Sequence, residues 1–280
     1  MGVTLSNGMR AEIVPDRWAR DSFELVVDGT PQSHVDLRDP TRLFFEYVRR
    51  MGHVIDVLRA PGAPLTAVHL GAGALTIPRY IEATRPGSRQ QVVELERALV
   101  DLVRRELPWD ERAAIRIRYG DARAMLARLP QGLRGASDVV VVDVFAGART
   151  PPHVSSVEFY REAAELLAPD GVLLVNVADG PALHYARAQA ATIAAAVGST
   201  IALAEVSVAK GRRFGNFVFA AAPGGVPRDW VRRLHAAGPH PASVIDEREL
   251  AEFARAATVT TDGTATGSPA PTRGVFRVSG

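Results

Sequence analysis

The alternation of apolar and polar positions divides the first 60 residues into short extended segments followed by one helix. The segments whose pattern is typical of strands are 11–14, 23–28 and 33–37. Residues 40–58 carry apolar side chains at spacings of three and four, which predicts a helix. We therefore predict a short N-terminal β-hairpin element and a linker helix over residues 1–60.

From residue 61 to residue 225, short apolar runs alternate with longer helical patterns. The predicted strands are 65–70, 90–95, 114–118, 137–143 and 171–176. The predicted helices are 75–83, 97–106, 122–129, 156–167 and 181–197. This alternation predicts a parallel sheet with helices on both faces. The run VVVVD at 139–143 is apolar on both sides, as expected for a central buried strand.

The end of this region has a different connection. Residues 201–208 and 216–222 are two apolar runs joined by AKGRRFG, with no helical pattern between them. They predict a hairpin, so that the last strand runs antiparallel to its neighbour. The sequence therefore predicts an α/β protein with a seven-stranded, Rossmann-like sheet of the methyltransferase type. Two helices are predicted within 226–257, and the Thr-, Gly- and Pro-rich residues 258–280 are predicted to form a mobile tail.

Composition excludes several classes of protein. The absence of cysteine removes disulfides, thiolate nucleophiles and cysteine zinc sites together. No apolar run approaches the length of about 20 residues that spans a bilayer, and the N-terminus lacks the apolar core of a signal peptide. The basic residues are scattered and the net charge is only +2, so we expect no nucleic-acid partner. The sequence predicts a cytoplasmic protein with no membrane partner.

Candidate chemistry lies where the predicted strands end. These ends are Gly71-Ala72-Gly73, then Glu94 and Glu96, then Gly120-Asp121-Ala122, and finally Asp143. In a doubly wound sheet the carboxyl ends of neighbouring strands form the ligand-binding crevice, so we expect these groups to lie together. Each has a structural alternative: the glycines could serve helix packing, and Asp121 could only cap a helix. Together they favour a nucleoside site.

The residues around the glycine loop also indicate which kind of nucleoside binds. A dinucleotide site usually has a third glycine in GxGxxG, but that position is Thr76, and Pro78 removes an N–H from the first helical turn. No Gly-Lys-Ser/Thr sequence exists, which excludes a P-loop. A positively charged sulfonium ligand suits a group of carboxylates. We predict S-adenosylmethionine or a relative as co-substrate and expect no metal.

Four stretches, VHLGAGALTIPRY, QVVELE, RYGDA and VVVVDVFAG, resemble the spermidine synthase (polyamine aminopropyltransferase) family, which has the class I methyltransferase fold. The resemblance covers roughly residues 20–222. It implies that Glu94 holds the ribose hydroxyls and that Asp143 deprotonates the attacking amine. It also implies a homodimer. The residues that it assigns to donor binding are Gly71, Ala72, Gly73, Glu94, Leu95, Asp121, Ala122 and Gln32.

The chain departs from this family's pattern on the acceptor side. Family members carry acidic residues at the positions of Ala74 and Ala146, and a glutamine where this chain has Asn176. Burying an ammonium group without a carboxylate is costly, so we expect an amine acceptor other than putrescine. The residues predicted to rebuild an acceptor site are His34, Asp36, Glu46, Phe145 and His153, with Asp39 and Glu158 as further candidates.

Three functions therefore remain open from the sequence. The first is transfer of an aminopropyl group from decarboxylated S-adenosylmethionine to an amine, which the resemblance favours. The second is methyl transfer from S-adenosylmethionine itself, because the alanine at position 74 would tolerate the donor's carboxylate. The third is a non-catalytic protein that binds an adenosyl nucleoside.

Overall fold

The computed structural model describes residues 2–270, which form two sheets and the helices that pack on them. The strands are β1 (Gly2–Thr4), β2 (Arg10–Pro15), β3 (Ser22–Val27), β4 (Thr30–Asp36), β5 (Thr66–Leu70), β6 (Arg89–Glu94), β7 (Ile115–Tyr119), β8 (Ser137–Val142), β9 (Leu167–Asp179), β10 (Ser199–Glu205), β11 (Gly215–Ala222) and β12 (Ala242–Ile245). The helices are α1 (Glu46–Leu58), α2 (Thr76–Thr84), α3 (Arg97–Glu106), α4 (Ala122–Leu126), α5 (Val157–Ala164), α6 (His184–Val197), α7 (Val206–Ala209), α8 (Arg228–Ala237) and α9 (Glu247–Ala254). Within the described residues, none of these helices combines the length and apolar character needed to cross a bilayer.

The larger sheet has the strand order β12-β10-β11-β9-β8-β5-β6-β7. Strands β5 to β9 are parallel, and β11 lies antiparallel between β9 and β10. This arrangement confirms the predicted methyltransferase-type sheet with its final hairpin. An eighth strand, β12, which the sequence analysis did not predict, pairs antiparallel with β10 at the sheet edge. Its four residues are too few for a period-two pattern to show.

The hairpin differs from its prediction at the turn. Strand β10 ends at Glu205 rather than continuing to residue 208, and the short helix α7 follows it. The Glu205 carboxylate accepts hydrogen bonds from the backbone N–H groups of Ser207 and Val208, at 2.9 and 3.2 Å. This side-chain cap satisfies the free donors of a helix N-terminus and so ends the strand there.

The N-terminal element is a complete four-stranded antiparallel sheet, β1-β2-β3-β4, rather than a single hairpin. The linker helix α1 begins at Glu46, not at residue 40. Before it, the Asp36 carboxylate accepts the backbone N–H groups of Arg38 and Asp39, at 2.9 and 3.0 Å. Such local hydrogen bonds compete with helix formation, which explains the late start.

The apolar core determines where the two sheets meet. Helices α1, α2 and α8 cover one face of the larger sheet, and α4, α5, α6 and α9 cover the other. The N-terminal sheet packs on α3, where Leu25 and Val27 are buried in one cluster with Leu99 and Leu102. Because α3 follows directly after β6, this packing holds the small sheet over the carboxyl ends of the parallel strands.

The segment after α9, which the sequence predicts to be mobile, makes specific contacts over its described part. The carbonyl of Thr260 accepts the N–H of Val157 at 2.8 Å, and the Ser268 hydroxyl accepts the N–H of Thr150 at 2.9 Å. Asp262 forms an ion pair with Arg123 at 2.6 Å. Residues 258–270 are therefore bound to α4 and to the loop and helix that follow β8, and residues 271–280 lie outside the described residues.

Candidate active site

A pocket lies at the carboxyl ends of β5, β6, β7 and β8, beneath the N-terminal sheet. Four carboxylates line it, and no lysine or arginine from residues 2–270 does so. The predicted donor-binding residues that line it are Gly71, Ala72, Gly73, Glu94, Leu95, Asp121, Ala122 and Gln32. The predicted base Asp143 lines the same pocket, as do Phe145 and His153 from the predicted acceptor set. The structure thus brings together residues that are separated by more than 100 positions.

The glycine loop after β5 is positioned by two close approaches. Gly71 has φ +93°, and a Cβ atom there would lie 2.2 Å from the carbonyl oxygen of Asp143. Gly73 has φ +49°, and its Cβ would lie 2.4 Å from the hydroxyl oxygen of Ser33. Both positions favour glycine because of the backbone conformation and the lack of space. The loop is therefore fixed between the end of β8 and the N-terminal sheet, with its backbone on the pocket.

We expect Gly71→Ala to lower the melting temperature markedly and to abolish nucleoside binding, since the added methyl group meets backbone rather than a flexible side chain. The matched control is Gly62→Ala, because Gly62 also has positive φ, +75°, but a Cβ there would meet nothing within 4 Å. Gly62→Ala should lower the free energy of unfolding by only about 1 kcal/mol, the cost of placing a residue with a Cβ atom in the left-handed conformation. Equal melting temperatures for the two variants, measured by calorimetry, would contradict this account of the loop.

Glu94 holds the loop from the neighbouring strand. Its Oε2 accepts the N–H of Ala72 and its Oε1 accepts the N–H of Glu96, both at 2.9 Å. Burial raises the pKa of Glu94, while the hydrogen bonds from these backbone N–H groups act to lower it. An ionised carboxylate has about four acceptor positions, so two remain for a ligand. That capacity fits the adjacent hydroxyl groups of a ribose.

Asp121 lies at the end of β7 and has two partners. Its Oδ1 accepts the N–H of Ala124 at 3.0 Å, which caps α4, and its Oδ2 lies 2.7 Å from Nε2 of His153. Burial raises its pKa, but the hydrogen bonds from Ala124 and His153 outweigh this, so the pKa lies below the ordinary value. Asp121 is therefore both the predicted cap and an ionised group on the pocket.

Asp143 follows β8 and is held by a chain of amides. The side-chain amide of Asn176 donates to Oδ1 of Asp143 at 2.8 Å, and that of Asn216 donates to Oδ1 of Asn176 at 2.9 Å. Burial raises the pKa of Asp143 to about 6, and hydrogen bonds from Asn176 and Tyr47 limit the rise. The site therefore contains an oriented carboxylate whose pKa is close to neutrality, which suits a general base.

Two residues of this site were missed in the sequence. Tyr47 has the spacing of an apolar helix position, yet it lines the pocket with Asp143 and acts to lower the pKa of that carboxyl. It also lies 3.5 Å from the carbonyl of Gln32, whose own side-chain amide donates to the carbonyl of Gly147 at 3.2 Å. Asn216 gives no signal in the sequence, because its role depends on β11 lying beside β9.

The structure does not bring the other predicted acceptor residues to the pocket. His34 is buried, lies 2.9 Å from Asp16 and stacks on Phe44 with ring centroids 4.5 Å apart. Asp36 organises the turn before α1, and Glu46 pairs with Arg50 at 3.3 Å. The two further candidates are also used elsewhere: Asp39 accepts the N–H of Thr41, and Glu158 accepts the N–H of Asp262.

Comparison with known proteins gives solved structures that match nearly the full chain and curated sequences that match about half of it. No family model matches. The crystal structure of a probable spermidine synthase from Corynebacterium glutamicum superposes with a TM-score of 0.83 at 30% identity, covering 95% of this chain and 97% of that one. Human methyltransferase-like protein 13, solved in complex with SAH, superposes with a TM-score of 0.55 at 16% identity, covering 84% of this chain and 98% of that one. This second likeness shows the fold alone.

Among curated proteins, the polyamine aminopropyltransferase of Vibrio vulnificus is 29% identical over 144 residues, which is 50% of this chain and 46% of the relative. The chain thus spans about half the length of the curated relatives that it matches. The topology and these comparisons define an α/β protein with a class I methyltransferase-like fold. The chain belongs to the spermidine synthase family, which confirms the resemblance seen in the sequence.

Proposed function

We propose that this protein transfers an aminopropyl group from decarboxylated S-adenosylmethionine to an amine. The observation that carries the proposal is the oriented carboxylate of Asp143, whose pKa lies near 6, beside the glycine loop. The names of the relatives, spermidine synthase and polyamine aminopropyltransferase, support the same chemistry.

The pocket residues fit a cationic nucleoside. Glu94 retains free acceptor positions for ribose hydroxyls, and Asp121, at the end of the neighbouring strand β7, is ionised. Leu95 lines the pocket beside Glu94 and is 60% exposed, so it offers an apolar surface for a purine ring. A sulfonium charge gains from the surrounding carboxylates, because the interaction of opposite charges strengthens where water is excluded.

The charges of the pocket favour the decarboxylated donor. S-adenosylmethionine adds a carboxylate, which would approach four acidic side chains with no lysine or arginine from the described residues to pair with it. Methyl transfer is the second candidate, because the fully buried Ala74 provides no acid that would repel the carboxylate of S-adenosylmethionine. The two donors differ by one carboxylate, so direct comparison distinguishes the reactions.

The reaction follows from the position of Asp143. The amine nitrogen attacks the carbon of the aminopropyl group that is bonded to sulfur. The new C–N bond forms as the bond between this carbon and sulfur breaks. The electron pair of the broken bond stays on sulfur, which leaves as a neutral thioether and needs no acid. Asp143 accepts the proton that the amine loses, while the side-chain amide of Asn176 holds its carboxylate in place.

We expect decarboxylated S-adenosylmethionine to bind at least about 10-fold more tightly than S-adenosylmethionine, a difference of about 1.4 kcal/mol. Titration calorimetry with the two donors measures this directly. Incubation with the decarboxylated donor and a panel of amines should release 5′-methylthioadenosine, detected by mass spectrometry. Release of S-adenosylhomocysteine from the other donor would instead establish methyl transfer. Tight binding with no product from any acceptor would favour a non-catalytic protein.

A further inference from the structure

We infer that Nδ1 of His69 binds the terminal ammonium group of the decarboxylated donor, at the end of an arm of the pocket. The arm is the part of the pocket that Val48, Ile77, Val141 and His69 line. The inference rests on the proposed aminopropyl transfer, and it specifies how this chain recognises the group that it transfers. His69 occupies a buried position of strand β5, yet its ring lines the same pocket as Asp143.

The arm extends from the glycine loop along the sheet face that α1 and α2 cover. His69 precedes Gly71 by two residues and pairs in register with Val141, which precedes Asp143 by two. Val141 belongs to the core cluster that packs against α1 and α2, and His69 shares its face of the sheet. Two residues of a strand span about 7 Å, so the ring lies about one aminopropyl length below the strand ends. A sulfonium at the level of the glycine loop can extend its three-carbon chain toward this ring.

The walls of the arm are apolar. Val48 of α1, Ile77 of α2 and Val141 of β8 are buried and line the pocket. Such side chains suit the three methylene groups of an aminopropyl chain, but they offer no acceptor to an ammonium group. Ala74, where family members carry an acid, offers none either. The polar group of the arm is therefore the ring of His69.

Two linked hydrogen bonds determine which nitrogen of the ring carries the proton. The side-chain amide N–H of Gln90 donates to the carbonyl of Pro78 at 2.9 Å, so the amide oxygen of Gln90 faces the ring. This oxygen lies 3.0 Å from Nε2 of His69 and can only accept, so Nε2 carries the proton. Burial lowers the pKa of His69 to about 4, so the ring is neutral at pH 7. Nδ1 is then a lone-pair acceptor, and within residues 2–270 no hydrogen bond reaches it.

A neutral acceptor suits an ammonium group whose charge is balanced by other groups. The unprotonated ring adds no positive charge, and the carboxylates that line the pocket offset the burial of a cation. Nδ1 adds direction, because it accepts one N–H and sets how far the chain enters the arm. A hydrogen bond to a charged group corresponds to a factor of about 10 or more in affinity. The contact is remote from the bond that breaks, so it should affect donor binding rather than kcat.

The test compares the decarboxylated donor with its S-propyl analogue, which keeps the sulfonium and the three carbons and lacks only the amino group. We expect the wild-type protein to bind the donor at least about 10-fold more tightly than the analogue. Titration calorimetry with both ligands measures this preference. The same titrations are made with two variants of His69 that each keep one of its two nitrogen positions.

His69→Gln should narrow the preference about 10-fold, because the glutamine amide takes the place of Nε2 and leaves Nδ1 without a replacement. His69→Asn is the matched control. Its side-chain oxygen takes the place of Nδ1, so the preference should stay within about 3-fold of the wild-type value. A histidine that serves only the core gives the opposite pattern, since glutamine would keep the contact with Gln90 and asparagine would lose it.

That opposite pattern overturns the inference, and so does a preference that changes equally in the two variants. A measurement on the wild-type protein needs no variant: nitrogen NMR of the imidazole should find the proton of His69 on Nε2. A proton on Nδ1 would leave that nitrogen unable to accept and would also overturn the inference.

Donor binding and group transfer are measured separately, so the two proposals can fail separately. If 5′-methylthioadenosine is released while both variants keep the wild-type preference, aminopropyl transfer stands and the role of His69 is refuted. If the preferences follow the expected pattern but no amine yields 5′-methylthioadenosine, the proposed function fails and His69 remains a donor contact. In the active enzyme, His69→Gln should raise the KM for the donor with kcat within about 3-fold of wild type. A loss confined to kcat would contradict a binding role.

Discussion

Replacing Asp143 with Asn is expected to lower kcat about 1,000-fold, because a positioned general base contributes about 10²- to 10⁴-fold to catalysis. The variant side chain keeps an oxygen that can accept the hydrogen bond of the Asn176 amide, so the local structure should persist. Donor affinity should stay within about 10-fold of wild type, since only one of several charges is removed. Single-turnover kinetics and donor titration measure the two effects separately.

The pH dependence of kcat/KM tests the role of Asp143 as the base a second time. Burial raises the pKa of Asp143 to about 6, and only the ionised form can accept a proton. The wild-type kcat/KM should therefore fall about tenfold for each pH unit below 6. Asp143→Asn should lack this acid limb in whatever activity it retains. An unchanged limb in the variant would assign the titrating group to another residue.

Asp143→Asn should make the folded protein more stable, although it lowers the activity. Because the pKa of Asp143 is raised on folding, the folded state binds its proton more tightly than the unfolded chain between pH 3.8 and about 6. This contribution to stability is present below that window and is lost as the pH rises through it. At pH 7, Asp143→Asn should therefore be more stable than wild type by on the order of 2 kcal/mol. The difference, measured by urea unfolding, should shrink as the pH is lowered to 4; a destabilised variant would contradict it.

The larger sheet was predictable because each central strand carries its own signal. The run at 139–143 is apolar on both faces, and the strand–helix alternation requires no knowledge of distant contacts. Strands β1 and β12 were not predicted, because three or four residues hold too little periodicity. Both are defined by pairing with other strands, β2 and β10, and not by their own composition.

The part of the pocket at the strand ends was also predictable, and the part beneath the N-terminal sheet was not. Glu94, Asp121 and Asp143 each follow a strand, so the parallel topology alone brings them to one edge. The second part depends on how α1 and the N-terminal sheet pack over that edge. That packing brings Tyr47 to Asp143, whereas His34 pairs with Asp16 inside the small sheet. Contacts between such distant segments leave no periodic trace in a single sequence.

Replacing Glu94 with Gln is expected to weaken binding of the decarboxylated donor about 100-fold, because hydrogen bonds to a charged acceptor contribute about 1.5–3 kcal/mol. In the native protein both carboxylate oxygens accept backbone N–H groups, those of Ala72 and Glu96. The amide of glutamine would place a second donor against one of them. The glycine loop would then lose an anchor at the same time as the ribose loses an acceptor.

The neighbouring acid provides the control. Glu96 lines the same pocket and carries the same charge, but its carboxylate binds Ser6 in the turn between β1 and β2 rather than the glycine loop. Glu96→Gln should therefore weaken the donor less than about 5-fold, the effect of one partly screened charge. Calorimetric titration of the donor into both variants separates the contribution of the hydrogen bonds of Glu94 from that of the pocket's overall charge. Equal losses would mean that the pocket attracts the donor by overall charge alone, and that the hydrogen bonds of Glu94 to the loop do not position it.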